Sequence, residues 1–261
     1  MLRRPAVAGS FYPANPKELA STVDFLLEAA RAEAAGLSPK ALIAPHAGYV
    51  YSGPVAASAY AELWKARHGI ERVVLLGPSH RVPLEGLAAS QAEAFLTPLG
   101  PVPLDPEARQ IALALPQVQP LEVAHEREHS LEVHLPFLQR MLERFRVIPL
   151  VVGVADPEVV CEVLEALWGD RETRIVVSSD LSHYLDYETA RGWDQETSRA
   201  IERLDPAGIH PAGACGCYPV RGLLLAAQHH GLRARTLDLR SSGDTAGPRS
   251  EVVGYGAYAF H

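Results

Sequence analysis

Ala41-Leu42-Ile43-Ala44-Pro45-His46 and Val73-Val74-Leu75-Leu76-Gly77-Pro78-Ser79-His80 are the two stretches that decide the fold. Each is an apolar run closed by a proline, with a histidine immediately after it or two residues on. A short run with no polar alternation predicts a strand buried on both faces. Proline, which has no backbone N–H, stops the sheet ladder. In an open α/β sheet, ligands sit beyond the carboxyl ends of the strands. Two histidines delivered to that rim by similar strands could converge on one metal, since imidazole is the commonest protein ligand for such ions; the alternative is that each only satisfies a loop hydrogen bond.

Working outward, strand and helix signals alternate along the chain. Asn15-Pro16 is a capping residue followed by proline at the first helical position, and it predicts a helix through Leu19–Ala35 that stops at Gly36. A second helix is expected from about Pro54 to Arg67, and a third from Asp105-Pro106 to near Pro116. Leu84 to Pro103 carries short β-like pieces between turn signals. Leu131 to Arg144 is helical in pattern, with Pro136 marking either a kink or the true first turn. Strands follow at Val147–Val152 and Arg174–Val177, the first leading to a helix opened by Asp156-Pro157. Helices are expected near Thr189–Leu204 and Val220–His230, then strands near Thr236–Leu239 and Val252–Phe260. The pattern predicts a single α/β domain over residues 1–261, with a mainly parallel or mixed sheet and helices on both faces.

Composition narrows the function classes. With 48% hydrophobic and 21% charged residues the chain is an ordinary globular protein. A net charge of −7 argues against nucleic acid or an anionic membrane surface. No window nears the ~18 to 20 apolar residues of a membrane span, and the start lacks an apolar signal region, so a cytoplasmic location is expected. Three cysteines, Cys161, Cys215 and Cys217, suit reduced thiols better than a disulfide frame.

Other residues could carry chemistry. Gly213-Ala214-Cys215-Gly216-Cys217 lets backbone approach closely, and a thiolate there could ligate a metal or attack a substrate, although Cys-x-Cys alone equally fits two small buried residues. Cys161, in an amphipathic stretch, is expected in the core. Ser178-Ser179-Asp180-Leu181-Ser182-His183 is a strand-to-helix elbow in which Asp180 and His183, three apart, would share a helical face. A histidine oriented by that carboxylate would be a general base near neutral pH; the alternative is an N-cap with a surface histidine. His125, His129 and His134 stand among Glu126, Glu128 and Glu132 without forming His-Glu-x-x-His. Most of these charges are expected to be solvated, with one histidine reaching the site rim if the segment packs on the sheet.

Six ordered segments resemble the Memo family, whose prokaryotic members are called AmmeMemoRadiSam system protein B. They are Arg4 to Pro13, Ala44-Pro45-His46-Ala47-Gly48-Tyr49, Gly77-Pro78-Ser79-His80, Glu128 to Leu138, Ser178 to His183, and Ala214-Cys215-Gly216. The resemblance implies the fold of class III extradiol dioxygenases, which open catechol rings with non-haem Fe(II) held by two histidines and a glutamate. Carried over by motif, His46 and His80 would be the imidazole ligands and Cys215 would replace the carboxylate. His183 would be the acid/base, with Asp180, His134 and more weakly Tyr51 in the same pocket. The family implies one transition metal per chain, Fe(II) first. The softer thiolate also admits copper or zinc and puts ring cleavage in doubt. Radical-SAM and AMMECR-type proteins are implied partners.

Three function classes follow. The first is a mononuclear two-histidine, one-cysteine metalloprotein with oxidoreductase or dioxygenase-like activity on a small substrate. The second is a scaffold that uses the same pocket to hold a peptide or partner protein. The third is a metal-free cysteine hydrolase with Cys215 as nucleophile and His183–Asp180 as base and orienter, which leaves His46 and His80 without a role.

Overall fold

The computed structural model describes residues 1–261. In chain order the elements begin with β1 (Leu2–Arg3), α1 (Pro16–Arg31), β2 (Ala41–Ala44), α2 (Tyr49–Ala61) and β3 (Arg72–Pro78). There follow β4 (Leu87–Ala89), β5 (Ala94–Thr97), β6 (Gly100–Pro103), α3 (Pro106–Leu113), β7 (Val118–Pro120), α4 (Val123–Glu126) and α5 (Leu135–Met141). The last third holds β8 (Arg146–Val152), α6 (Pro157–Ala166), β9 (Thr173–Ser178), β10 (His183–Leu185), α7 (Tyr187–Glu202), α8 (Cys217–His229), β11 (Ala234–Ser241), α9 (Ser242–Thr245) and β12 (Val252–Phe260).

The two opening runs become β2 and β3, separated in the sheet only by β9. The main sheet runs β10-β12-β2-β9-β3-β8-β4-β7, with β11 also on β12. Its centre, β2-β9-β3-β8, is parallel, and the antiparallel pairings β12–β2 and β8–β4 flank it. A short second sheet, β1-β5-β6, closes one side.

Burial on both faces follows the two-residue period of a strand. Leu42, Val73, Leu75, Val147, Val151 and Val176 face one apolar layer with α1, α2 and α5. Their neighbours Ile43, Val74, Leu76, Ile148, Leu150, Ile175 and Val177 face the other layer, with α3, α6 and α8. This is the mixed α/β architecture with helices on both faces that the sequence predicts. No helix is long and apolar enough to cross a membrane.

Three of the departures from the sequence expectation come through a tertiary contact; α2 also ends at Ala61 rather than near Arg67, and the helix expected over Leu131–Arg144 is the shorter α5. Asn15 caps α1 as expected, accepting from the Lys17 and Glu18 amides, but the helix ends at Arg31 instead of Ala35. Beyond it the Ala35 and Leu37 amides donate to the buried Glu62 carboxylate at 2.8 and 2.7 Å. The second helix starts at Tyr49, five residues before Pro54, because Tyr49 is buried and its hydroxyl donates to the Val133 carbonyl at 2.6 Å. Pro54 then sits inside the helix, where it withholds an N–H from the carbonyl of Val50, a residue on the solvent side. Pro136 marks a first turn, not a kink.

The third difference bears on the site. Ser178-Ser179-Asp180 opens no helix: the chain turns through residues 179–182 and joins β10, paired with β12. Asp180 and His183 therefore do not share a helical face.

Candidate metal centre

β2 and β3 are two strand positions apart, roughly 10 Å. His46 and His80 lean across the end of β9, and their rings meet edge to face with centroids 5.1 Å apart. The intervening strand supplies the support. Ser178, the last residue of β9, donates its single hydroxyl hydrogen to the Ser130 carbonyl at 2.6 Å. Its oxygen therefore accepts from His46 Nδ1–H, also at 2.6 Å. His80 Nδ1 donates to the Glu128 carboxylate at 2.9 Å. Both rings are thereby fixed in the tautomer that leaves Nε2 with a bare lone pair.

Cys215 reaches the same point from the loop before α8. That loop can lie against the end of β9 because residue 216 is glycine: a Cβ there would meet the Ser178 carbonyl oxygen at 2.5 Å and Ser179 Cβ at 2.7 Å. Cys215 N donates to the Asp180 carbonyl at 3.2 Å, and Gly216 N to Ser179 Oγ at 3.0 Å. Cys215 Sγ lies 3.4 Å from His46 Nε2, and the ligand atoms of His46, His80 and Cys215 all fall within 4.8 Å of one another. A first-row ion at usual bond lengths of about 2.0 Å to nitrogen and 2.3 Å to sulfur spaces such donors by about 3.3 to 3.6 Å. Donor type, tautomer and spacing all fit one metal ion.

Electrostatics agree with ligation by neutral imidazole. Burial, reinforced by His80 and His129, holds His46 well below its ordinary range, so it stays unprotonated and ready to donate a lone pair. Burial and then Asp180 push the Cys215 thiol well above its usual range. A cation at the three ligand atoms would reverse that shift. Without one, a protonated thiol beside a feebly basic imidazole is a poor nucleophile, which counts against the hydrolase class.

The remaining expected residues divide. Asp180 is in the cluster but does not orient His183. Its Oδ1 accepts the His46 amide at 2.7 Å, and Oδ2 stands 3.9 Å from His46 Nε2. Burial raises its pKa to about 7, against the pull of that amide. His183 is oriented instead by the Leu181 carbonyl, to which Nδ1 donates at 2.8 Å. Burial lowers its pKa, against the opposing pull of the Leu181 carbonyl. Tyr51 is partly exposed on the first turn of α2. Tyr51, Tyr184 and Asp180 all sit close enough to Tyr255 to add to the effect of burial in raising its phenol pKa. His134 lies in the core, with Nδ1 2.9 Å from Tyr60 Oη, and is not one of the clustered ligand groups.

The 125–134 segment corrects the expectation of solvated charge, because His125, Glu128, Glu132 and His134 are all buried. Glu132 takes Arg3, the amides of Ala6 and Val7, and the Tyr12 hydroxyl. Glu128 takes His80 twice, through ring and amide, together with the His129 and Ser130 amides. Burial alone would raise the Glu128 pKa, but the His80 ring and the surrounding amides hold it down at about 2. The histidine that reaches the rim is His129, stacked on the His80 ring at 4.8 Å and 5.5 Å from His46. Sequence reasoning assigned no role to Ser178, Glu128 or His129. The available signal was a carboxylate directly before a histidine, which no spacing rule links to His80.

Comparison with known proteins agrees with the whole-chain resemblance. The family model described as Memo-like protein matches residues 3–259. A MEMO1 family protein of Aquifex aeolicus is 38% identical, with 97% of each chain covered. A second, from Archaeoglobus fulgidus, is also 38% identical, with 99% of each covered. Among solved structures, the uncharacterized protein JW3007 of Escherichia coli K12 superposes with a TM-score of 0.53 at 15% identity, covering 82% of this chain and 98% of the other. That last likeness speaks to the fold alone. Matched from end to end by the family model and by relatives of this identity, the chain belongs to the Memo-like family.

Proposed function

We propose that this chain is a mononuclear metalloprotein in which His46, His80 and Cys215 hold one transition metal that acts on a small substrate at the carboxyl end of the sheet. The observation that carries this reading is the pair of locked tautomers. Ser178 and Glu128 each consume an Nδ1 hydrogen, so both Nε2 lone pairs face Cys215 Sγ. His46 is buried and His80 stands exposed at the rim, and a cation at their meeting point would take both lone pairs together with the Cys215 sulfur. The mixed nitrogen–sulfur set is softer than two histidines and a carboxylate, so iron, copper and zinc all suit it.

A metal bound there supplies Lewis-acid polarisation and, if it is iron or copper, electron transfer. The chain supplies the rest. With Nδ1 committed to Leu181, His183 offers Nε2 as a proton acceptor, and its lowered pKa keeps it neutral at physiological pH. Asp180, near pKa 7, holds or releases a proton beside Cys215 and His46. Tyr51 and Tyr184 are exposed aromatics close to Tyr255, at the rim where a planar ligand would lie.

Metal analysis of anaerobically purified, chelator-washed protein tests the assignment. His46→Ala, His80→Ala and Cys215→Ala are each expected to lose the equivalent of metal that the wild type holds at this centre, while His183→Ala retains it. Equal metal content in the wild type and the three ligand variants would overturn the proposal.

A further inference from the structure

The geometry points to a second divalent-metal site, on the helical face of the molecule, built from Cys161 and Glu165 of α6 and His229 at the end of α8. Cys161 and Glu165 are four residues apart and share one face of α6. α8 is drawn onto that face by Gly222, where a Cβ would lie 2.4 Å from Val160 Cβ and 3.2 Å from the Cys161 nitrogen. His229, two helical turns beyond Gly222, is therefore carried over the Cys161–Glu165 pair.

The distances are those of a coordination shell more than of a hydrogen-bonded cluster. Cys161 Sγ is 3.7 Å from His229 Nδ1, which is 3.3 Å from Glu165 Oε1. All three ligand atoms lie within 4.8 Å of one another. One ring nitrogen cannot serve both neighbours, since it donates to the carboxylate or accepts from the thiol but not both. Both separations are also long for good hydrogen bonds. Tetrahedral zinc spaces sulfur from nitrogen by about 3.5 Å and nitrogen from oxygen by about 3.4 Å, and a metal satisfies all three groups at once.

An orienting shell is present too. Glu165 Oε2 lies 2.8 Å from His230 Nε2, and the His230 ring stacks on Trp168 at 3.8 Å with planes 5° apart. The neighbouring histidine thus fixes the carboxylate that would ligate. Cys161 is buried at 3% exposure, whereas the His229 and Glu165 side chains are 55% and 35% exposed, which leaves the fourth position open to water. Thiolate, carboxylate and imidazole together suit zinc, and two negative ligands balance its charge. Burial, with Glu165 and Glu158 adding to it, pushes the Cys161 thiol up to about 11. Binding forms the metal–sulfur bond and releases the thiol proton to solvent.

Cobalt(II) is the probe, because a thiolate ligand gives it a near-ultraviolet charge-transfer band. The experiment uses the full chain with His46→Ala and Cys215→Ala, which removes the other candidate centre and its cysteine. One equivalent of cobalt is expected to develop the band, and zinc to displace it. Cys161→Ser abolishes the band, and the exposed variant His229→Ala weakens cobalt binding at least about tenfold. His68→Ala, which breaks an exposed histidine–glutamate contact of 2.8 Å to Glu143, leaves binding unchanged. No thiolate band, or a band that persists in Cys161→Ser and so reports Cys217, would overturn the site. If the double variant fails to fold, zinc stoichiometry of the intact chain against His229→Ala gives the same decision: one fewer zinc supports the site and equal zinc overturns it.

Discussion

Ser178→Ala isolates the support of the metal centre from its ligands. The hydroxyl is the only hydrogen-bond partner of His46 Nδ1, at 2.6 Å, and it also caps the Ser130 carbonyl at 2.6 Å. Alanine removes both bonds with almost no change in volume. His46 loses the acceptor that selects its tautomer and fixes its ring, so metal affinity is expected to fall about 10- to 100-fold. That is about 1.4 to 2.7 kcal/mol of binding free energy. In the chelator-treated chain two buried polar groups are orphaned at about 1–3 kcal/mol each, so stability falls by about 2–6 kcal/mol. Ser198→Ala separates the two effects, since Ser198 is buried against the Tyr258 hydroxyl at 2.6 Å, in the α7–β12 contact. It should lower stability by about 1–2 kcal/mol and leave metal affinity alone. Competition against a chromophoric chelator reads the affinity, and urea unfolding reads the stability. Metal binding by Ser178→Ala within about twofold of wild type would refute the tautomer argument.

Two further outcomes follow from buried charge. Arg3→Ala removes the ion-pair partner of Glu132, both side chains being essentially inaccessible, and also the bonds from Arg3 to the His125 and Glu128 carbonyls. It should lower stability by about 3–5 kcal/mol in urea, and a loss under about 1 kcal/mol would contradict the pairing. Acidification should also destabilise the chelator-treated chain. Burial holds His125 at about 4, His129 at about 4 and His134 at about 3, with His46 also well below 6.5. The unfolded chain therefore takes up protons near pH 6.5 that the folded chain refuses until far lower, so stability falls as pH falls through that window. Burial raises Asp180 to about 7 and Asp194 to about 6, and these two act in the opposite sense. His183, also lowered by burial, adds to the four, and five groups against two leave a net loss on the order of a few kcal/mol between pH 7 and 5; a midpoint that rises toward pH 5 would refute the balance.

Local signals carried as far as local physics reaches. The apolar runs at Ala41–Ala44 and Val73–Leu76 and the caps at Asn15 and Asp105 act within a few residues, and they were legible. The breaks came where a distant partner took over. Glu62 ended α1, Val133 drew Tyr49 into α2, and β12 claimed residues 183–185 as a strand. Asp180 looked like a helix cap because aspartate before a turn usually is one. Its carboxylate found the His46 amide instead, 134 positions away in sequence.

The amino-acid sequence by itself determined the α/β class, the family, and the delivery of two histidines and a cysteine toward one end of a parallel sheet. These depend on residue type, on two-residue periodicity and on motif order, all of which are written along the chain. Only the tertiary structure decided that Ser178 and Glu128 set the imidazole tautomers. It also decided that the acidic stretch around Glu128 and Glu132 is core, that His129 rather than His134 stands at the rim, and that Cys161 meets His229. Each of those rests on groups 48 to 129 residues apart that are joined by burial and hydrogen bonding. In a low-dielectric interior a polar group must find its partner wherever the fold supplies one.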